Sequence, residues 1–288
     1  VSAHAASWRE RLLVLLQACL PTRALSRAVH AIAHWRVSPI KNALIRIFIR
    51  RFNVDMREAE EQAPDAFTHF NAFFTRALRP GARPLPEDEG AVVSPVDGSL
   101  SQLGRISDGM LIQAKGMRYS AEALLGEPAE AFRDGTFCTI YLAPYDYHRI
   151  HAPADLDLRG HRHIPGRLFS VNPATARARP ALFARNERVV TQFDCAAGRL
   201  AVVMVGALLV GSVDTVWAGR ICPPHHRRPG PFVPANGQYA RGAEIGRFNM
   251  GSTVILLATP GLLDWHPELV PGQSLRMGQP IGSLSGEP

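Results

Sequence analysis

The change of texture at Arg79-Pro80-Gly81 restricts the fold of this chain more than any other feature. Before it, apolar residues recur at helical spacing. After it, proline, glycine and short apolar runs alternate to the end of the chain. The runs are Ala91 to Val93, Gly98 to Ile106, Phe137 to Leu142, Arg188 to Phe193, Leu200 to Val205, Val213 to Trp217 and Thr253 to Ala258. Short strands punctuated by turn residues predict a β-rich body. The expected fold class is therefore α+β: a helical N-terminal region over residues 1–60, then a β-rich body over 61–288. One further helix is expected over Phe67 to Leu78, stopped by Pro80-Gly81. Ala207 to Gly211 extends an apolar run that periodicity cannot divide between helix and strand, with strand favoured. Pro223 to Gly237 reads as a long loop, either a lid or a plain insertion.

The formal charge of +7 is unevenly placed, since residues 1–60 hold ten Lys or Arg against four acids and so carry +6 of it. Such a segment suits an anionic partner. Its composition favours a membrane surface over nucleic acid: Ile40, Ala43, Leu44, Ile47 and Phe48 recur at helical spacing with Lys41, Arg46, Arg50 and Arg51 mostly outside the stripe, an interfacial-helix pattern. Leu12 to Leu20 is more apolar but falls short of the roughly 20 residues a spanning helix needs. The same faces suit helices packed on the protein's own core, and Arg9, Arg11 and Leu16-Gln17-Ala18-Cys19 also resemble a secretory or lipoprotein signal. Cys19, Cys138, Cys195 and Cys222 have neither C-x-x-C spacing nor disulfide density, which suggests a reducing compartment and argues against a thiolate zinc site.

Chemistry-bearing residues gather at three places. Gly251-Ser252-Thr253 puts a serine directly after a glycine at the mouth of a buried strand, where a chain could cut itself; it equally reads as a turn. His148, His151, His161 and His163 fall close together, yet lack the acidic third ligand and the spacing of a zincin, so no metal is expected and either pair reads equally well as loop histidines. A serine hydroxyl needs an imidazole to take its proton and usually a carboxylate to hold that imidazole. Ser252, His151 and Asp97 supply one of each.

Several motifs then fall in one order: Phe73-Phe74-Thr75-Arg76 with Arg79 to Pro84, Pro95-Val96-Asp97-Gly98, Lys115-Gly116 with Tyr119-Ser120, Tyr147-His148-Arg149-Ile150-His151, Phe169-Ser170-Val171-Asn172-Pro173, Phe183 to Arg188, and Gly251-Ser252-Thr253. Over roughly residues 60–260 the chain resembles the bacterial, pyruvoyl-dependent phosphatidylserine decarboxylases. The resemblance implies a self-cleaving proenzyme. Ser252 attacks the preceding carbonyl, and the chain splits between Gly251 and Ser252 into a large chain (1–251) and a small chain (252–288). A covalent pyruvoyl group derived from Ser252 remains, at once the cofactor and the site where substrate amine forms a Schiff base. It implies that Asp97, His151 and Ser252 form the self-cleavage triad, with His151 oriented by Asp97, and that His148 serves substrate binding and decarboxylation. Met250 departs from the family's usual Leu, a volume-conserving change that cores tolerate.

The function implied is decarboxylation of phosphatidylserine to phosphatidylethanolamine. Partners are that lipid, an anionic membrane surface and the two chains of one precursor, with a homo-oligomer left open. The location implied is peripheral, on the cytoplasmic side of the cell membrane. A pyruvoyl decarboxylase of another amine, or a non-enzymatic β-sandwich carrier, are the competing readings. A carrier would present a lysine at a hairpin tip, and residues 242–288 contain none. Arg149, Arg167 and Arg185 are candidates for the phosphate by charge.

Overall fold

The computed structural model describes residues 7–114, 116–195, 198–209, 212–221, 229–250 and 252–285, with Arg23 as backbone only. Lys115, Val210, Gly211, Cys222, Pro223 to Arg228 and Gly251 lie outside the described residues. The N-terminal region is helical, with α1 (Trp8–Cys19), α2 (Thr22–Ala33) and α3 (Ser38–Phe52). Ser7 and Glu10 close a capping box at the start of α1, and Asn53 ends α3 in the left-handed region. The body is built on strands β1 (Gly98–Arg105), β2 (Thr136–Leu142), β3 (Arg149–His151), β4 (Leu156–Ile164), β5 (Arg188–Cys195), β6 (Gly198–Val205), β7 (Ser212–Thr215), β8 (Glu244–Asn249) and β9 (Ser252–Ala258). The fold is α+β.

The main sheet runs in the order β4-β5-β6-β9-β2-β1, wholly antiparallel, with short strands at both edges. β9 lies at its centre and is buried on both faces. Val254, Leu256 and Ala258 enter one core with Met204, Ile140 and Phe248; Ile255 and Leu257 enter the other with Val203, Phe137 and Phe169. That is why the run Val254 to Ala258 is continuously apolar rather than alternating. Val254 to Leu257 are each 0% exposed, and burying each such side chain contributes about 1.5–3 kcal/mol. A second sheet carries Gly219–Ile221, β7, β8 and β3 in that order. β8 and β9 thus belong to different sheets, joined across residues 250 and 251.

Some expectations change. The helix expected over Phe67 to Leu78 shrinks to α4 (Phe70–Phe74), because the following residues pair with the chain after α3: Glu60 N–H donates to Ala77 O and Arg79 N–H to Glu58 O. Long-range pairing outweighs local propensity there. Gly206 to Leu209 turns instead of continuing β6, with Leu209 at φ 70°. Leu156–Ile164 was missed as a strand, and with it the placing of His161 and His163, which sit on β4 rather than in a loop. Glycine and charged residues in Leu-Asp-Leu-Arg-Gly-His-Arg-His-Ile hide the alternation that burial makes plain.

The apolar stripe of α3 also turns inward. Ile45 is 0% exposed, and the Phe48 ring lies 5.2 Å from Phe70 and 5.9 Å from Phe73. Lys41 is buried, its Nζ donating to Asp65 O at 2.9 Å and to Phe67 O at 2.5 Å. The interfacial reading of α3 is corrected accordingly: Leu44, Ile45 and Phe48 are core, while Ile40 and Ile47 face outward. Exposed large apolar side chains concentrate on α1 and α2, including Trp8, Leu12, Leu13, Leu15, Leu16 and Leu25. α1 is tied to the body by the Glu10–Arg177 ion pair, by Ser170 N–H donating to Gln17 Oε1 and by Arg167 donating to Ala18 O.

Candidate active site

Asn249 ends β8, Met250 follows at φ 88°, and Ser252 begins β9 opposite Leu142. Positive φ strains any residue with a Cβ, typically by about 1–3 kcal/mol, and persists only where packing over-determines it. Here the Met250 side chain packs into the cluster of Phe70, Phe73 and Phe74, which ties the N-terminal helices to the residue two before Ser252. Ser252 is 1% exposed and its Oγ has no hydrogen-bond partner among the described residues. An orphaned buried hydroxyl costs about 1–3 kcal/mol. Strain and an unpaired hydroxyl therefore meet at one junction.

A second orphan lies nearby in the chain pairing. His148 is 0% exposed; its carbonyl accepts from Phe248 N–H at 3.0 Å, which sets it beside the end of β8. Its Nδ1 lies 2.7 Å from Asp146 O, and a carbonyl can only accept, so Nδ1 carries the proton and Nε2 presents a bare lone pair with no partner among the described residues. The ring packs on Phe74 at 4.1 Å between centroids. Burial, followed by the nearby Arg76 charge, holds its pKa down to about 3, against the opposing Asp146 carbonyl. His148 is a neutral base in a dry setting.

His151 is oriented differently from expectation. Nδ1–H donates to Gly242 O at 2.7 Å, and Nε2 accepts from the Tyr147 hydroxyl at 2.9 Å. Burial lowers its pKa, opposed by the Gly242 carbonyl and the charges of Glu244 and Asp97. Asp97 makes no hydrogen bond to it. The Asp97 carboxylate instead accepts from Arg83 Nε at 3.1 Å and Nη2 at 2.5 Å and from Met277 N–H at 2.7 Å. Arg83 is 5% exposed and also pairs with Glu58 at 2.9 Å. The two segments remain adjacent, since His151 N–H donates to Pro95 O at 2.9 Å. The structure thus brings Asp97 and His151 onto neighbouring segments without joining them, and Ser252 Oγ is bonded to neither.

Beside this junction lies a cavity of about 340 Å³ lined by His34, His69, Arg149, Arg220, Arg247 and Asn249, among others. Asn249 forms its floor through Asn71 Nδ2 donating to Asn249 Oδ1, and Asn249 Nδ2 donating to Ser212 Oγ and Asp214 Oδ1, at 2.7–2.8 Å. Arg149 and Arg247 both hold Glu244, and Arg220 holds Asp214. Arg83, Tyr147, Gly242 and Asn249 received no role from the sequence. Arg83 and Tyr147 stood inside quoted motifs, and Asn249 adjoined one; Gly242 carried no signal, because only its backbone carbonyl acts. Among the described residues no three His, Cys, Asp or Glu converge as a metal set.

The family model described as phosphatidylserine decarboxylase matches residues 70–283, and a second, described as PSD, matches residues 12–53. Relatives named phosphatidylserine decarboxylase proenzyme include that of Nitrosococcus oceani, 49% identical over 282 residues and covering 96% of this chain and 92% of the relative. That of Ectopseudomonas mendocina is 49% identical over 282 residues, covering 96% and 99%. That of Stutzerimonas stutzeri is 48% identical over 284 residues, covering 96% of both.

Proposed function

The chain belongs to the phosphatidylserine decarboxylase family, and from that premise we propose how its own residues convert phosphatidylserine to phosphatidylethanolamine. The observation that carries the reading is the Ser252 hydroxyl, buried and unpartnered among the described residues, two residues after a left-handed Met250. The hydroxyl attacks the carbonyl carbon of Gly251 and the amide C–N bond breaks, leaving an ester and a free amine. Loss of the Ser252 Cα proton then expels the ester as the Gly251 carboxylate, ending the large chain. The dehydroalanine left at the head of the small chain hydrolyses with release of ammonia to a pyruvoyl group.

His151 Nε2 is the base for the Ser252 proton, with Nδ1–H fixed by Gly242 O so that the correct nitrogen is basic. Tyr147 must leave that lone pair for the transfer to occur. Asp97 acts on His151 through its charge rather than through a hydrogen bond, and through Met277 N–H it binds a segment of the small chain to the large one.

The buried head of β9, two residues after the left-handed Met250, fits a ketone-bearing group: burial keeps bulk water, beyond the molecule consumed in the hydrolysis, from hydrating it. When present, that group supplies an electron sink for the pair released as carbon dioxide leaves. His148, neutral with Nε2 unpaired among the described residues, accepts a hydrogen bond from the substrate amine and so orients it for decarboxylation. Arg149, Arg247 and Arg220 hold the headgroup phosphate in the cavity beside Asn249.

Docking supplies the lipid. α1 and α2 present Trp8, Leu12, Leu13, Leu15, Leu16 and Leu25 to an anionic bilayer, on the cytoplasmic side of the cell membrane. No single described helix is long and apolar enough to cross one; α1 with Ala24–Ala33 passes by length and composition only as a pair bent by 84°. Intact mass spectrometry tests the central step. The purified protein should give two chains, the smaller beginning at position 252 with a carbonyl-reactive end, and Ser252→Ala should give one chain of 31.5 kDa. An uncut, fully active wild type would sink the proposal.

A further inference from the structure

The three arginines singled out for phosphate separate in the structure. Arg149 lines the cavity beside Asn249, whereas Arg167 and Arg185 share a second cavity, about 770 Å³, with Arg27 and Arg179 at the junction of α1 and α2. The volume lies within the roughly 300–1,000 Å³ typical of small-molecule sites. Among the described residues no Asp or Glu lines it. In the cavity beside Asn249 each arginine has a carboxylate partner; here, among the described residues, none of the four has one. Nearby Arg177 is the contrast, paired to Glu10.

Two of the four, Arg167 and Arg179, are held by contacts that leave their charge uncompensated. Arg167 donates to Ala18 O at 2.8 Å. The Arg167 and Arg179 guanidinium carbons lie 5.6 and 4.9 Å from the centroid of the Phe169 ring. Arg179 Nε is buried with no partner among the described residues. Burial and then the charges of Arg185 and Arg167 press the Arg179 guanidinium below its ordinary range. Like charges gathered this way disfavour one another, and an anion relieves the repulsion. The rim adds the second half of the recognition: Leu20, 44% exposed, lines the cavity and continues the apolar face of Leu12, Leu13 and Leu16.

We propose that this cavity binds the phosphate of an anionic membrane phospholipid other than the one being decarboxylated, a clamp seated where α1 and α2 meet the bilayer. The proposal rests on docking through those helices. Free phosphate would satisfy the arginines alone; a lipid also covers Leu20 with its chains.

Two measurements test it. Co-sedimentation compares phosphatidylcholine vesicles with and without phosphatidylglycerol, for wild type, for Arg179→Gln/Arg185→Gln, and for Arg50→Gln/Arg51→Gln, which removes equal charge from exposed positions of α3. The cavity pair should bind the phosphatidylglycerol vesicles about thirtyfold more weakly, the factor that corresponds to roughly 1 kcal/mol per arginine, and the α3 pair should lose much less. Equal losses would mean diffuse surface attraction and overturn the site. The second measurement is the Tm shift produced by monomeric, short-chain phosphatidylglycerol, which should appear in wild type and the α3 pair and vanish in the cavity pair. The same shift from inorganic phosphate at equal concentration would overturn the lipid assignment. Should wild type sediment with no vesicle, the docking reading fails, and the short-chain lipid still decides the cavity on its own.

Discussion

Replacing His148 with glutamine should flatten the acid limb of the stability curve. The folded value of about 3 stands against an ordinary imidazole at about 6.5, so between these the unfolded chain binds a proton that the folded one refuses. The stability this gives is fully present above about pH 6.5 and is lost as pH falls toward the folded value. At about pH 5 the loss reaches roughly 2 kcal/mol, and its limiting slope is about 1.4 kcal/mol per pH unit. Asp146 runs the other way: burial, partly offset by Ala143 N–H, lifts its carboxyl to about 6, so its contribution is present at low pH and declines as pH rises through that value. Glutamine at 148 leaves Asp146 in place, and the difference between the two curves isolates the histidine. Urea unfolding at about pH 8 and about pH 5, on a Ser252→Ala background so that one chain unfolds, gives both values. The wild-type side chain should lose about 2 kcal/mol more than the variant between the two conditions. Equal losses, within a few tenths of a kcal/mol, would refute a buried neutral His148 and with it the bare Nε2 on which its proposed role depends.

Asp146→Asn should raise stability at about pH 8 by up to about 3 kcal/mol, since it removes a carboxylate that burial disfavours while keeping an acceptor for Ala143 N–H; denaturant midpoints at that pH check the sign. Arg83→Met should cost about 3 kcal/mol by stranding Asp97, and adding Asp97→Asn should recover part of it in a double-mutant cycle. Asp97→Asn and His151→Ala should leave the precursor uncut, while His148→Ala should cut and yet make no phosphatidylethanolamine; mass spectrometry of protein and lipid reads both, and the reverse pattern overturns the division of roles. Leu12→Ser with Leu16→Ser should weaken vesicle binding at least tenfold, at roughly 1 kcal/mol for each leucine withdrawn from the interface, without changing Tm.

Much of the architecture could be read locally. The break at Pro80-Gly81 divides helices from strands, and β9 announces itself as an unbroken apolar run because both its faces meet a core. Where charge and glycine interrupt alternation, as in β4, the signal fades. Where a helix is amphipathic, as in α3, its stripe does not say whether it meets lipid or Phe70 and Phe73. The motif residues were visible too, though their partners were not: a reader can pick out His151 and Asp97, but Gly242 O and Arg83 have no local mark that pairs them.

The sequence by itself determined the division into a helical N-terminal region and a β-rich body, the uneven charge and the serine that begins β9, because these depend on spacing of 2 or 3.6 residues and on composition. Tertiary structure alone decided that His151 is oriented by a carbonyl 91 residues away and that Asp97 is held by a backbone amide 180 residues away. It also decided that the arginines divide between two cavities, one compensated by carboxylates and one not. Hydrogen bonds and ion pairs of this kind form between segments that the core brings together, and no periodicity along the chain encodes which segments those are.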